Sequence, residues 1–164
     1  MAHAAEEVEE LVTLSSALVV NIGTLSSHWI ARMQRAASKA RELGKPWVLD
    51  PVGVGATSLR SSTAQELARR GPTVLRANAS EILAIAGRAS EATKGVDSTN
   101  PSVFALGAGR RLAQELKTVI VISGRVDYVT DGERVLEVHN GHPMMTQVTG
   151  LGCTASRSSA RSWP

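Results

Sequence analysis

The sequence predicts an α/β protein, a three-layer αβα arrangement built on a mainly parallel sheet with helices on both faces and one late β-hairpin. Three observations lead there. Short aliphatic runs of strand length alternate with longer segments of helical periodicity over most of the 164 residues. Apolar residues make up 43% of the chain and aromatic residues only 3%, an aliphatic bias that suits strands buried on both faces. Asp131-Gly132 separates two β-rich runs, a dipeptide that favours a tight hairpin.

The elements follow in order. Glu6 to Leu14 reads as a short helix, and Ala17-Leu18-Val19-Val20-Asn21-Ile22 as a strand. In the next segment Trp29, Met33, Ala36, Ala40 and Leu43 step by fours and threes, which draws one apolar stripe on a helix. Gly44 stops that helix and Pro46 prevents its continuation. Trp47-Val48-Leu49 is a second strand ending at Asp50-Pro51, and Ser62 to Arg70 a helix broken by Gly71-Pro72. Thr73 to Arg76 is a third strand, followed by a helix from Asn78 or Ala79 to Ala86, closed by Gly87. Arg88 to Asn100 has no periodicity and reads as a surface loop. Pro101 suits a helix first turn, and that helix extends to Leu116 despite Gly107 and Gly109. Thr118 to Ile122, Asp127 to Thr130 and Arg134 to Val138 complete the strands.

Size allows one domain with a substantial core. No apolar run reaches the length of a membrane span, and the N-terminus does not resemble a secretory signal. The lone Cys153 makes no internal disulfide, so a reducing, cytoplasmic setting is expected. The net charge of +3 is modest, and basic residues alternate with acidic ones on helix faces. No nucleic-acid or membrane partner is expected from that pattern.

Several polar clusters fall where such a sheet places ligands, at the carboxyl ends of its strands. Asp50 precedes a glycine loop and is a hard oxygen ligand suited to Mg²⁺, or else a turn former before proline. Arg76 at a strand end can grip a phosphate with two donors. Asn78 and Glu81 fit an N-cap with its capping carboxylate, with or without a further role. Ser123-Gly124 ends the fourth strand. Thr149-Gly150-Leu151-Gly152-Cys153 resembles an anion-binding turn, in which Gly150 and Gly152 let main-chain N–H groups approach a charged ligand. Cys153 is a thiol in that turn or inert packing. Residues 155–164 are rich in Ser and Arg and lack the apolar stripe of a buried helix, so they are expected to be a disordered tail.

Seven collinear segments carry a resemblance. They are Met1-Ala2-His3-Ala4, Asn21-Ile22-Gly23-Thr24-Leu25, Leu49-Asp50-Pro51-Val52-Gly53-Val54-Gly55-Ala56-Thr57, Asn78-Ala79-Ser80-Glu81, Lys94-Gly95-Val96-Asp97, His139-Asn140-Gly141-His142 and Thr149-Gly150-Leu151-Gly152-Cys153. In this order and spacing the chain resembles the hydroxyethylthiazole kinase family of the ribokinase-like superfamily, which acts in thiamine salvage. The resemblance implies ATP- and Mg²⁺-dependent phosphorylation of the hydroxyl of 4-methyl-5-(2-hydroxyethyl)thiazole. It places Met1 and Gly150 at the thiazole, Arg76 and Ser123 at the nucleotide, and Gly150 and Gly152 in the anion turn. It also puts Cys153 where related sugar kinases carry an aspartate base, and Asp50 and Glu81 in the segments that organise metal and phosphate. A homotrimer is implied.

The chain departs from the family in three places. The family's opening segment before the methionine is absent from the sequence, and Met1 would be a poor fixed wall as a free end. Arg125 stands where glutamate is common, and Ala77 where glycine is more usual. The Ser/Arg tail replaces an apolar helix. The expectation is therefore an incomplete ribokinase-like domain over residues 1–154 followed by an aberrant tail over 155–164, with the kinase reaction as its class. The alternatives are a weak or inactive isoform of that kinase, or another ribokinase-like enzyme.

Overall fold

The computed structural model describes residues 4–87, 101–139, 144, 147 and 150–161. In chain order the elements are α1 (Val8–Leu14), β1 (Leu18–Asn21), α2 (Ser27–Glu42), β2 (Trp47–Asp50), α3 (Ser58–Ala68), β3 (Val74–Asn78) and α4 (Ala79–Ile85). They continue with α5 (Pro101–Leu116), β4 (Val119–Ser123), β5 (Asp127–Thr130), β6 (Val135–Val138) and α6 (Leu151–Arg161).

One six-stranded sheet runs in the order β1-β2-β3-β4-β5-β6. The pairs from β1 to β4 are parallel, while β4–β5 and β5–β6 are antiparallel. A monotonic order of parallel strands joined by right-handed crossovers puts every crossover helix on the same face. The core agrees: Val20, Leu49, Leu75, Ile120 and Ile122 share one cluster with Ala37 and Ala40 of α2, Leu67 of α3, Ile82 of α4 and Ala108 of α5. The opposite strand face carries Val19, Val48, Val74, Val119 and Val121, which gather around Ala160 of α6. The sheet is thus covered on both faces, as the sequence predicts, but α6 alone supplies the second layer among the described residues.

Local chemistry explains several of these boundaries. Thr57 caps α3 by accepting from the Arg60 amide at 3.2 Å, so the helix starts at Ser58, earlier than the expected Ser62. Its first turn buries nothing, and periodicity therefore hid it. Asn78 and Glu81 form a reciprocal capping box on α4. Gly109 is tolerated inside α5 because a Cβ there would meet Ile122 Cδ1 at 2.8 Å, so its absence lets the helix lie close on β4. The single expected hairpin is instead two in succession. The Gly124 amide donates to Asp127 Oδ1 at 2.9 Å and turns β4 directly into antiparallel β5. In the second, the Arg134 main-chain amide and then its guanidinium hold the Asp131 carboxyl down to about 2.

The expected disorder of residues 155–164 is corrected for the described residues up to 161. They belong to α6, in which Ser156 is fully buried and Ala160 nearly so. No apolar stripe is needed because small residues let the helix approach the sheet. Its hydroxyls are satisfied by its own turns: Thr154, Ser156 and Ser159 donate to the carbonyls of Gly150, Gly152 and Ala155.

Candidate active site

β1 and β2 are apolar runs that end in Asn21 and Asp50, and Arg76 sits two residues before the end of β3; by alternation from Val19, Val48 and Val74 all three lie on the sheet face covered by α6. The register pairs Asn21 with Asp50, so two polar side chains emerge side by side where the strands leave the sheet. Asn21 Nδ2 donates to Asp50 Oδ2 at 2.8 Å and to Cys153 Sγ at 3.5 Å. Ser156 Oγ donates to the same Asp50 Oδ2 at 2.9 Å. Asp50 is 5% exposed, a nearly buried carboxylate held by two neutral donors and paired with no cation among the described residues.

Above this carboxylate sits the N-terminus of α6. Gly150 has φ +88, a left-handed conformation open to glycine, and its carbonyl accepts the first helical bond from the Thr154 amide. That leaves the first-turn amides of Leu151, Gly152 and Cys153 without helical acceptors, at the positive end of the helix dipole. Arg76 Nη1 donates to the Gly152 carbonyl at 3.1 Å, which pins the turn beside the guanidinium. No carboxylate among the described residues pairs with Arg76, so its charge is available to an anion.

The structure therefore brings together Asp50, Arg76, Gly150, Gly152 and Cys153. Ser123 closes the row one strand further on: it pairs with Asn78 in the β3–β4 register and donates to the Ala77 carbonyl at 3.3 Å. Cys153 is exposed and free. Glu81 stands apart from the Asp50 cluster in its described bonds. Its two oxygens accept from the Gly53 and Asn78 amides, both at 2.9 Å, which ties the loop after β2 to the start of α4. Met1 and the segments at residues 94–97 and 140–142 lie outside the described residues.

Two polar members of the constellation, Asn21 and Ser156, carry no role in the sequence reading. Asn21 was legible in principle, since two neighbouring apolar runs each end in one polar residue. Ser156 follows Gly152 by four residues and so shares its helix face. As for a metal, no group of three or more acidic, His or Cys side chains gathers among the described residues. One buried carboxylate beside an anion turn fits an ion carried mainly by phosphate oxygens and water, as Mg²⁺ is.

Comparison with solved structures first defines the class. Adenosine kinase from Schistosoma mansoni matches 94% of this chain and 47% of its own with a TM-score of 0.65 at 14% identity. Bacillus subtilis pyridoxal kinase matches 90% and 56% with a TM-score of 0.57 at 22% identity. These likenesses define a ribokinase-like α/β fold. The model of the hydroxyethylthiazole kinase family matches residues 1–162, and the chain belongs to that family. Hydroxyethylthiazole kinase from Syntrophus aciditrophicus is 53% identical over 157 residues, covering 95% of this chain and 58% of that protein. The structure of the hydroxyethylthiazole kinase protein from Pyrococcus horikoshii superposes with a TM-score of 0.82 at 44% identity, covering 95% and 57%. The chain thus spans a little over half the length of the relatives it matches.

Proposed function

We propose that this chain carries the phosphoryl-transfer site of an ATP-dependent kinase acting on the hydroxyl of 4-methyl-5-(2-hydroxyethyl)thiazole. The observation that supports it best is the convergence of a guanidinium that no described carboxylate pairs, a helix N-terminus and a buried carboxylate near the carboxyl ends of β2 and β3. Phosphoryl transfer needs little covalent chemistry from a protein and is accelerated mainly by positioning and charge neutralisation.

In this reading Arg76 and Ser123 contact the nucleotide phosphates. The amides from Leu151 to Cys153 point at the phosphoryl group in flight, where preorganised donors contribute most. Asp50 and, through the loop it secures, Glu81 organise a magnesium-bound triphosphate; the ion would supply neutralisation of the charge on the phosphate oxygens. Met1 and Gly150 flank the thiazole. Cys153 lies beside the acceptor hydroxyl as a spacer rather than a decisive base, because a thiol is a poor acceptor of an alcohol proton. The assembly is a homotrimer in the reducing cytoplasm. A second reading, a weakly active or inactive isoform, is separated from the first by turnover alone.

ADP release by the purified chain with Mg-ATP and the thiazole alcohol provides that test. Turnover should require both substrates and fall by about 100-fold or more in Asp50→Asn, while Arg76→Met raises KM for ATP and Cys153→Ser stays within about ten-fold of the parent. Turnover indifferent to both Asp50→Asn and Arg76→Met would defeat the assignment.

A further inference from the structure

Arg60, in the first turn of α3, makes three bonds that neither the fold nor the phosphoryl-transfer reading has used. Its Nη1 donates to the carbonyls of Ile22 at 2.8 Å and Val52 at 2.9 Å, and its Nη2 to the Gly23 carbonyl at 2.9 Å. Two of these carbonyls belong to the loop after β1 and one to the loop after β2. The side chain is half-buried, and no carboxylate among the described residues pairs with it. A cation whose described bonds all go to main-chain oxygens is acting as a staple between two loops.

The staple reaches the site through a short chain of contacts. The Gly23 amide donates to Asn21 Oδ1 at 2.8 Å, which fixes the side-chain amide so that Nδ2 faces Asp50 and Cys153. A Cβ on Gly23 would lie 2.9 Å from that same Oδ1, so the backbone and the amide are already at close contact. The loop at Gly23 has little room to shift without turning Asn21. On the other side, Val52 follows Asp50 by two residues and precedes Gly53, whose amide Glu81 holds.

From this we infer that Arg60 is a positioning residue of the site. By joining the loops after β1 and β2 it sets the orientation of Asn21 and, through it, the placement of the Asp50 carboxylate and the Cys153 thiol. Its described side-chain bonds all go to main-chain carbonyls, so it acts on the site through Asn21. The role in turnover rests on the kinase reading, whereas the staple itself rests only on the contacts above.

The experiment uses the full chain with Arg60→Lys and Arg60→Gln, and Arg70→Gln as a surface control, whose described bonds go to Ser38 and Glu66. Amide hydrogen exchange reads the staple directly. Both variants should accelerate exchange at Gly23 and Val54 together by about ten-fold or more, with the core strands unchanged, since neither a point-like ammonium nor a single amide reproduces the planar fork that bonds three carbonyls from two nitrogens. In turnover, kcat should fall by about ten-fold while KM for the thiazole alcohol moves by less than about two-fold, the mark of misplaced groups rather than lost binding. Exchange that is unchanged, or that rises across the whole chain in step with lost global stability, overturns the proposal, as does full kcat in both variants. A parent chain with no turnover defeats the kinase reading, and exchange at the two loops then decides the staple by itself.

Discussion

A serine three residues past the thiol governs the one buried acid of the site. Ser156 Oγ is shared between the Gly152 carbonyl at 3.1 Å and Asp50 Oδ2 at 2.9 Å, and the residue is fully buried. Hydrogen bonds to a charged group contribute about 1.5–3 kcal/mol, and removing one partner leaves the carboxylate underserved. Ser156→Ala should therefore lower stability by about 1–2 kcal/mol in urea melts monitored by far-UV circular dichroism. Much of the site was readable at this scale. Asp50 and Arg76 announce themselves as polar punctuation near strand ends, and Gly150, Gly152 and Cys153 as a glycine turn opening a helix. Asn21 shares the polar punctuation, which does not announce its role, and Ser156 gives no such signal: both act on Asp50, far away in sequence, and only the register between β1 and β2 and the seating of α6 bring that partner close.

At the level of elements, capping chemistry was the more dependable signal and apolar periodicity the less. Asn78-Ala79-Ser80-Glu81 was visible as a capping box and forms one, with the Asn78 side chain accepting from the Glu81 amide at 3.0 Å. Asn78→Ala should cost about 1 kcal/mol, read as a lowered thermal midpoint, and should loosen the loop that Glu81 also holds at Gly53. Periodicity misplaced the start of α3, whose first turn is solvated apart from Arg60. It also concealed α6, whose buried face is serine and alanine. A hydropathy pattern reports apolar area, and a helix that packs by being thin offers little of it. The double hairpin escaped for a related reason: Asp127 closes the β4–β5 turn with its side chain, a contact that the Ser123-Gly124-Arg125 run does not advertise.

Across the molecule the two sheet faces are unequal. Among the described residues α1 to α5 all contribute to the core on the first, and on the second α6 contacts mainly β1 and β2. The row Val121, Val129, Leu136 continues across β4, β5 and β6 by register, and Leu136 is 65% exposed. An apolar row ending at an edge strand invites association between chains. Leu136→Lys should reduce concentration-dependent association in sedimentation velocity while leaving the circular dichroism spectrum unchanged. If the association is insensitive to this change, the contact lies elsewhere on the surface.

The seating of α6 also sets a timetable for biosynthesis. The described strands all precede α6 in the chain, so a nascent sheet waits with Val48 and Val74 bare until that helix emerges from the ribosome. Such an intermediate offers a flat aliphatic surface to holdase chaperones. The acid at the heart of the site is sealed in the same event, because the serine that clasps it arrives on the helix that closes the sheet.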